Sequence, residues 1–332
     1  MIRSLVFTTQ GRLHSQDIDK FLIPTLLADT NLFLWLDLDS ATPDEARFVF
    51  EGVFHFHPLS IEDCLMRNES PKVEEFVPRE DDRFSPYLFI VIHAVDYSRA
   101  DGVFATNDLD CFLGKNFLVT HHTTPLKVIQ SLSERCLKGG TPVARAPDRT
   151  MHTLLDAIVE NYQPALDELA NEIGDLEQRA LEAPTKATLN KILQVKKEIL
   201  HLRQIIGPQR EVMSRLANGE FKLIRPHLLP YYRDVLDAIS RIGGQAQANA
   251  EWLTGILQIY LNMSSNQTGE VVKLLTVITF MTTPMMMIGT WYGMNFKEMP
   301  ELNWRHGYAY ASILTLVTTA ATYWYFKKKK WF

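Results

Sequence analysis

The chain lacks several features that would assign it to a common class of protein. Its 34 basic residues stand against 39 acidic ones, and the resulting net charge of −5 argues against nucleic-acid binding. It has no Gly-x-x-x-x-Gly-Lys-Ser/Thr motif, so we expect no bound nucleotide and no ATP hydrolysis. The apolar run around Leu5 is too short for a signal peptide.

Cysteine is also scarce, and the histidines form no convincing site. The chain has three cysteines, Cys64, Cys111 and Cys136. Their odd number and irregular spacing predict free thiols in a reducing cytosol rather than disulfides or a metal site. His55 and His57 alternate as in a strand, and His121-His122 ends another strand. We therefore predict that the protein is not an enzyme.

Two uncharged stretches near the end of the chain are the most informative feature present. Leu274 to Tyr292 spans nineteen residues and Gly307 to Phe326 spans twenty, and neither contains Asp, Glu, Lys or Arg. Each is long enough to cross a hydrocarbon core of about 30 Å at about 1.5 Å per residue. They predict a two-helix transmembrane hairpin joined by a short loop.

The basic tail predicts the orientation of this hairpin. Lys327 to Lys330 directly follow the second stretch, and such clusters stay on the cytoplasmic side of a membrane. Aromatic residues at both ends of the same stretch are typical of membrane interfaces. We predict an integral protein of the cell inner or plasma membrane with both termini in the cytoplasm. The alternative, two buried helices of a soluble protein, fits the tail and the aromatic ends poorly.

Residues 1–147 have the pattern of a cytoplasmic α/β domain. Runs rich in β-branched and aromatic residues predict three strands, Leu32–Leu38, Tyr87–Ile92 and Phe117–Thr120. Two further segments predict helices, Pro43–Phe54 and Ser60–Met66. Ser60 followed by Asp63 resembles a loose capping box at the start of the second helix.

From residue 148 the apolar residues recur at helical spacing. Residues 148–226 predict a helical hairpin, broken at Pro184 and ending near Gly207-Pro208. Residues 227–292 predict a stalk helix that runs into the first membrane stretch, with Gly243-Gly244 as its weak point. If continuous, this helix has about 65 residues and is roughly 100 Å long. The rest divides into an outward-facing loop (293–306), a second transmembrane helix (307–326) and a basic cytoplasmic tail (327–332).

A polar stripe follows one face of the first membrane stretch. Steps of three and four residues separate its members, Thr276, Thr279, Thr283, Met286 and Thr290. Threonines at such positions serve helix packing in some membrane proteins, and in others they line a water-filled path; the spacing leaves both open. One hairpin cannot enclose a path, so the second interpretation requires several copies of the chain, associated through the stalk.

Short motifs mark both ends of the chain. Tyr292-Gly293-Met294-Asn295 follows the first stretch, and other motifs are His57–Asp63, Pro71–Glu74, Tyr231–Val235, Met299–Leu302 and Tyr325–Trp331. Taken together, these motifs resemble those of the CorA family of divalent-cation channels over nearly the whole length of the chain. The resemblance implies an α+β membrane protein assembled in the lipid bilayer as a funnel-shaped homopentamer. Such a protein passes Mg²⁺, and often Co²⁺ or Ni²⁺, down its gradient.

The resemblance also implies roles for particular residues. Ion selection falls to Gly293, Met294 and Asn295, with Tyr292 packed behind Asn295. A ring of Asn295 carboxamides would accept hydrogen bonds from the waters that Mg²⁺ keeps. The pore lining would comprise Gly269, Val272, Thr276, Thr279, Thr283, Met286 and Thr290. Gly269 stands where the family often has asparagine, which weakens the assignment of the intermediate pore sites.

Acidic residues are expected at two further places. Glu298 and Glu301 in the outer loop would attract cations, although Lys297 and Arg305 offset them. By motif match, regulatory Mg²⁺ would bind Glu62 and Asp63 of one subunit and Asp234 of another, and hold the closed state. The plainer alternatives are a first-turn helix acid for Asp63 and a surface charge for Asp234.

Two other functions remain open from the sequence. One is a proton-coupled zinc transporter of the related ZntB branch, although neither membrane stretch contains the histidine or cysteine that Zn²⁺ prefers. The other is a membrane-anchored magnesium sensor that conducts nothing.

Overall fold

The computed structural model describes residues 2–66, 70–80, 82–100, 103–138, 142–295, 299–300 and 304–331. The chain divides into two compact units. The sheet unit contains Met1–Gln178 and Lys186–Ile256, and the helical unit contains Arg179–Thr185 and Leu257–Phe332. The domain limits drawn from the sequence stay a prediction.

The sheet unit is built on a seven-stranded sheet. Its strands are β1 (Ile2–Thr8), β2 (Leu13–Gln16), β3 (Leu32–Asp39), β4 (Lys72–Phe76), β5 (Tyr87–Ala100), β6 (Val103–Gly114) and β7 (Phe117–His122). Their order is β2-β1-β3-β7-β6-β5-β4. β3 and β7 pair in parallel, with Trp35 opposite Leu118, and the other neighbouring strands pair antiparallel. The three predicted strands are confirmed.

Nine α-helices lie within the described residues. They are α1 (Ile23–Leu27), α2 (Pro43–Arg47), α3 (Pro58–Leu65), α4 (Lys127–Leu137), α5 (Pro147–Glu160), α6 (Tyr162–Glu182), α7 (Lys186–Ala217), α8 (Leu229–Tyr292) and α9 (Gly307–Lys328). A π-helical turn, Phe48–Val53, continues α2. The first of the two predicted helices is confirmed, whereas the second begins earlier than expected.

The predicted start of α3 is wrong. His57 is the N-cap, and its Nδ1 accepts a hydrogen bond from the Leu59 amide at 3.3 Å, so Ser60 does not cap the helix. The Ser60 hydroxyl instead bonds the Tyr87 hydroxyl at 2.7 Å. The strand predicted around His55 and His57 is wrong as well. Buried Phe54 and Phe56 produce the alternation there, in an irregular segment where His55 has a φ of 55°.

The predicted end of α7 is also wrong, because the helix passes through Pro208 and continues to Ala217. Proline removes one backbone hydrogen bond and would favour a break. The residues that follow compensate, since Val212, Met213 and Leu216 are buried. Gln209 lies inside the unit, where its Oε1 accepts a hydrogen bond from the His93 amide at 2.6 Å. Packing therefore overrides the local signal.

The sheet and helices of this unit are joined by a buried aromatic core and by polar ties. Phe56 stacks on Phe112 with ring centroids 4.3 Å apart. The Tyr162 hydroxyl donates to the His93 carbonyl at 2.8 Å, which fastens α6 to β5. Arg225 binds the buried carboxylate of Asp148 with two hydrogen bonds of 2.7 Å. These ties hold the start of α5 against the segment that leads into α8.

α8 runs unbroken for 64 residues. Gly243 does not interrupt it, because this glycine lies where α7 approaches: a Cβ added there would come within 3.4 Å of Ile206 Cγ2. Tyr232, Val235 and Ile239 begin the buried stripe that fixes its first half to the sheet unit. The sequence left open whether this helix breaks at Gly243-Gly244, and no break occurs between Leu229 and Tyr292.

In the helical unit, the second half of α8 and α9 lie side by side and antiparallel. Phe280 contacts Phe326 with ring centroids 5.9 Å apart, and Tyr292 and Tyr308 line the same groove. Among the described residues, α8 with its preceding turn is the one helix long and apolar enough to cross a bilayer. α9 is uncharged as far as Phe326 but richer in alanine, threonine and tyrosine, and its membrane crossing stays a prediction.

Candidate functional site

The threonines of the polar stripe all bond back to their own helix. The hydroxyls of Thr276, Thr279, Thr283 and Thr290 each donate to the carbonyl four residues earlier, at 2.8, 2.8, 2.7 and 2.6 Å. Such bonds let a hydroxyl sit in an apolar helix without an unsatisfied proton. They also fix each oxygen close to the helix surface with its lone pairs directed outward.

The stripe is not covered by α9. Thr279, Thr283, Met286 and Thr290 are exposed, and Thr276 is half-buried. The groove between α8 and α9 is lined by another face of α8, formed by Met281, Met285, Ile288 and Tyr292 among others. At about 100° per residue, the centre of these four residues lies roughly 170° around the helix from the centre of the stripe. Packing among the described residues therefore does not account for the stripe.

Two further predicted lining residues, Gly269 and Val272, are exposed on the turns of α8 that precede the stripe. Beyond the local backbone of α8, a Cβ added at Gly269 would meet no atom of the described residues within 4 Å. This open surrounding contrasts with the close approach at Gly243. Apart from the half-buried Thr276, the described residues thus leave the predicted lining open to solvent or to another molecule.

The Tyr-Gly-Met-Asn motif forms the end of α8. The Gly293 amide donates to the Gly289 carbonyl at 3.0 Å, and Met294 follows in a turn. A Cβ at Gly293 would stand 3.0 Å from that same carbonyl oxygen, so a larger residue would force the backbone to shift. Asn295 is exposed immediately after this turn, while Tyr292 is half-buried in the groove toward α9. The motif thus ends the helix tightly and presents a carboxamide.

The outer-loop acids cannot be placed. Glu298 and Glu301 lie outside the described residues.

The predicted regulatory acids lie on two elements of the sheet unit. Glu62 and Asp63 are the fifth and sixth residues of α3, so the alternative of a first-turn acid for Asp63 is wrong. Glu62 is exposed, and so is Asp234 near the start of α8. Asp63 is half-buried and pairs with Lys72 of β4, Nζ to Oδ2 at 2.6 Å.

Lys72 is a contributor to this site that the sequence analysis missed. It lies 3.8 Å from Glu74 as well as 2.6 Å from Asp63, so it already neutralises part of the acidic surface. The signal was available in the motif Pro71–Glu74, which places a lysine beside acids. Nothing in the sequence indicated that β4 would bring this lysine against α3, however.

Comparison with known proteins gives a consistent result. The sequence model of the family described as CorA-like Mg²⁺ transporter protein matches residues 31–328. The cobalt/magnesium transport protein CorA of Thermotoga maritima is 34% identical over 279 residues, covering 84% of this chain and 77% of that protein.

Solved structures share the fold. The complete CorA magnesium transporter from Methanocaldococcus jannaschii matches with a TM-score of 0.80 at 19% identity, over 99% of this chain and 98% of that one. The ZntB cytoplasmic domain from Vibrio parahaemolyticus matches with a TM-score of 0.60 at 13% identity, over 79% of this chain and 98% of that domain.

Proposed function

The chain belongs to the CorA-like Mg²⁺ transporter family, and on this premise we propose that it is a Mg²⁺ channel rather than an enzyme. In this proposal Mg²⁺ enters the cell passively down its electrochemical gradient, and Co²⁺ or Ni²⁺ pass by the same route. Five copies surround one path, with α8 of each copy inside and α9 outside. Both helices cross the inner or plasma membrane, and both chain termini lie in the cytoplasm.

The observation that carries this proposal is the uncovered threonine face that leads toward Asn295. Each back-bonded hydroxyl still presents oxygen lone pairs, which can accept hydrogen bonds from water or from another copy of the helix but not from lipid. A single chain offers this face on one side only. Several copies arranged around an axis would turn the faces inward and enclose a path lined with oxygen atoms.

Mg²⁺ suits such a path because it gives up its waters reluctantly. The exposed Asn295 carboxamide has an oxygen that accepts hydrogen bonds from those waters without displacing them. A ring of carboxamides attracts the hydrated ion less strongly than a ring of carboxylates would, which favours release as well as entry. The tight turn at Gly293 supports this role, because it fixes the start of the Asn295 segment to the end of α8.

Gating in this proposal depends on the carboxylates of the sheet unit. Mg²⁺ would bind Glu62 and Asp63 of one subunit together with Asp234 of its neighbour, and hold the channel closed while cytosolic Mg²⁺ is plentiful. When that concentration falls, the uncompensated carboxylates would repel one another and the subunits would separate. The exposure of Glu62 and Asp234 supports this role, since both side chains are accessible to an ion.

The proposal is tested by Mg²⁺ entry into proteoliposomes that contain a Mg²⁺ dye. We expect voltage-dependent entry that is unaffected by a pH gradient and is lost in Asn295→Ala. Asn190→Ala, an exposed asparagine on α7, is the matched control and should conduct normally. Entry that persists in Asn295→Ala would overturn the assigned selectivity site. A protein that reconstitutes in the membrane without any Mg²⁺ entry would be a sensor.

A proton-coupled zinc transporter is the second candidate function, because the ZntB cytoplasmic domain shares the fold of the sheet unit. The same vesicles discriminate it from the channel. Flux that follows the pH gradient and prefers Zn²⁺ to Mg²⁺ would favour the transporter.

A further inference from the structure

Three side chains with different metal-binding atoms converge inside the sheet unit. They come from three elements: Cys64 from α3, Asp110 from β6 and His121 from β7. Cys64 Sγ lies 3.3 Å from Asp110 Oδ2 and 3.3 Å from His121 Nδ1, and the nitrogen and oxygen are 3.1 Å apart. The three atoms form an almost equilateral triangle.

This triangle has nearly the size that a tetrahedral metal ion requires. Bonds of about 2.0–2.1 Å to nitrogen or oxygen and about 2.3 Å to sulfur place the ligand atoms of a tetrahedral zinc site roughly 3.3–3.6 Å apart. The observed sides would need to lengthen by only a few tenths of an ångström. All three residues are at most 6% exposed, so their positions are fixed by the surrounding core.

Hydrogen bonding alone leaves this triangle incompletely satisfied. The thiol has one proton, and Nδ1 of the imidazole has at most one. The thiol and the imidazole together can therefore donate along at most two of the three sides of the triangle. A cation at the centre would bind all three atoms.

The surroundings supply room for a further ligand. The three residues line a cleft of 470 Å³ together with oxygen-bearing residues that include Ser40, Thr106 and Asp108. Water in a polar cleft of this size can complete a fourth position, as in metal sites with three protein ligands. The cleft also gives an ion a way in, which a closed packing cluster would not offer.

We propose that Cys64, Asp110 and His121 bind a divalent transition-metal ion, Zn²⁺ or Co²⁺, with water from the cleft as the fourth ligand. The sulfur and nitrogen donors suit these ions, whereas Mg²⁺ prefers six oxygen ligands. The site is separate from the conduction path. Its ion would tie α3 to the centre of the sheet and so hold Glu62 and Asp63 in place. The effect on regulation rests on the proposed function, whereas the metal site itself does not.

The test uses the full-length protein in detergent, stripped of metal by a chelator and titrated with Co²⁺ in excess Mg²⁺. We expect one Co²⁺ per chain with a thiolate-to-cobalt charge-transfer band. Cys64→Ser should abolish the band, and Asp110→Asn should weaken binding more than about tenfold. Cys136→Ser, a buried cysteine on α4, should leave the band unchanged. Cobalt held by the oxygen atoms of the conduction path gives no such band, so the two proposals fail independently.

A second measurement needs no variant and therefore does not depend on whether Cys64→Ser folds. X-ray absorption of the zinc-loaded wild-type protein should show one sulfur at about 2.3 Å and nitrogen or oxygen at about 2.0–2.1 Å. A shell of nitrogen and oxygen only, or the absence of any charge-transfer band in the wild type, would reduce the triangle to a packing cluster.

Discussion

Lys72 sets the charge that a regulatory ion would meet on α3. Its ammonium group lies 2.6 Å from Asp63, so an incoming Mg²⁺ must compete with an internal cation for the same carboxylate. Both side chains are about one quarter exposed, which places the pair between a surface ion pair and a buried one. Under the proposed gating, the ion pair would raise the concentration of Mg²⁺ required for closure.

We predict that Lys72→Gln makes the channel close at lower Mg²⁺. A pair of this exposure contributes up to about 1 kcal/mol, so the half-inhibitory Mg²⁺ concentration on the cytoplasmic side should fall roughly two- to five-fold. This concentration is measured from Mg²⁺ flux into proteoliposomes at a series of Mg²⁺ concentrations on the cytoplasmic side of the protein. Lys115→Gln removes the same charge from an exposed position and should change nothing. An unchanged midpoint in Lys72→Gln would remove Asp63 from the regulatory site.

His122 is a buried histidine between hydrogen-bond acceptors, and we predict that it makes the stability of the sheet unit depend on pH. Burial by itself would lower its pKa, but the hydrogen bond from Nε2 to Asp37 at 3.2 Å, with that carboxylate's charge, raises it above the ordinary value. Nδ1 bonds the Thr124 carbonyl at 2.7 Å, and Asp39 adds a further negative charge. Both ring nitrogens thus face acceptors, which suits the protonated imidazolium.

Because the pKa of His122 is higher in the folded state, protonation of His122 stabilises the fold. This stabilisation is complete below the pKa of an unfolded histidine, about 6.5, and is lost as the pH rises through the pKa of the folded state. We expect the thermal midpoint of the detergent-solubilised protein to fall over that range above about pH 6.5. His122→Gln should flatten the dependence, whereas His14→Gln, at an exposed position, should preserve it. A midpoint that rises with pH in the wild type, or an equal slope in His122→Gln, would contradict the assignment.

At this scale the sequence predicted the threonine stripe because periodicity along one helix is a local property. It could not predict Lys72 against Asp63 or the meeting of Cys64, Asp110 and His121. Those contacts join elements far apart in the chain, and no spacing rule encodes them.

At the scale of the elements, α8 is a long helix that contains two consecutive glycines, Gly243 and Gly244, without a break. A Cβ added at Gly243 would lie 3.4 Å from Ile206 Cγ2 of α7. A Cβ added at Gly244 would meet no atom of the described residues within 4 Å, apart from the local backbone of α8. The first glycine therefore serves close packing between helices. The second contributes only the entropic cost of glycine in a helix, about 0.5–1 kcal/mol relative to alanine.

We predict that Gly244→Ala stabilises α8 by about 0.5–1 kcal/mol, measured as slower native-state hydrogen exchange of its amides. Gly243→Leu should instead destabilise the helix by about 1–3 kcal/mol through overpacking against Ile206. Gly244→Leu is the size-matched control and should not share that loss. Destabilisation by Gly244→Ala would show that another molecule packs on this side of α8.

Element prediction succeeded where local pattern and packing agree and failed where they conflict. β3, β5 and β7 are rich in β-branched and aromatic residues and were identified from that composition. The sequence predicts that α7 ends at Pro208, because proline has no amide proton for the helix. It does not show that the side chains beyond Pro208 are buried and hold the helix together. The start of α3 was misplaced since a histidine side chain, not the nearby serine, caps it.

At the scale of the whole molecule, the proposed function requires an assembly of several chains. Glu62, Asp63 and Asp234 are proposed to meet only across subunits, and the stripe of α8 is proposed to line a path only when copies surround it. Sequence could indicate that several copies are required, because one hairpin encloses nothing. The number five comes from the family resemblance.

We predict that Mg²⁺ protects the assembled protein from limited proteolysis by bridging neighbouring sheet units. Asp234→Ala should raise the Mg²⁺ concentration for half-protection by about tenfold, equivalent to a loss of roughly 1.4 kcal/mol of binding free energy. Asp175→Ala, an exposed acid on α6, should leave that concentration unchanged. Equal protection of the Asp234→Ala protein would place the bridging ion elsewhere.

The back-bonded hydroxyls of α8 also bear on which sign of charge can travel along the stripe. The hydroxyls of Thr279, Thr283 and Thr290 each donate their only proton to a carbonyl of their own helix. Toward the proposed path, each hydroxyl can therefore act only as a hydrogen-bond acceptor. Water around a cation turns its hydrogens outward and meets such a wall favourably. Water around an anion turns its oxygens outward and finds no donor there. An assembly lined by this face would exclude chloride through the orientation of solvent dipoles, without any ring of fixed negative charge.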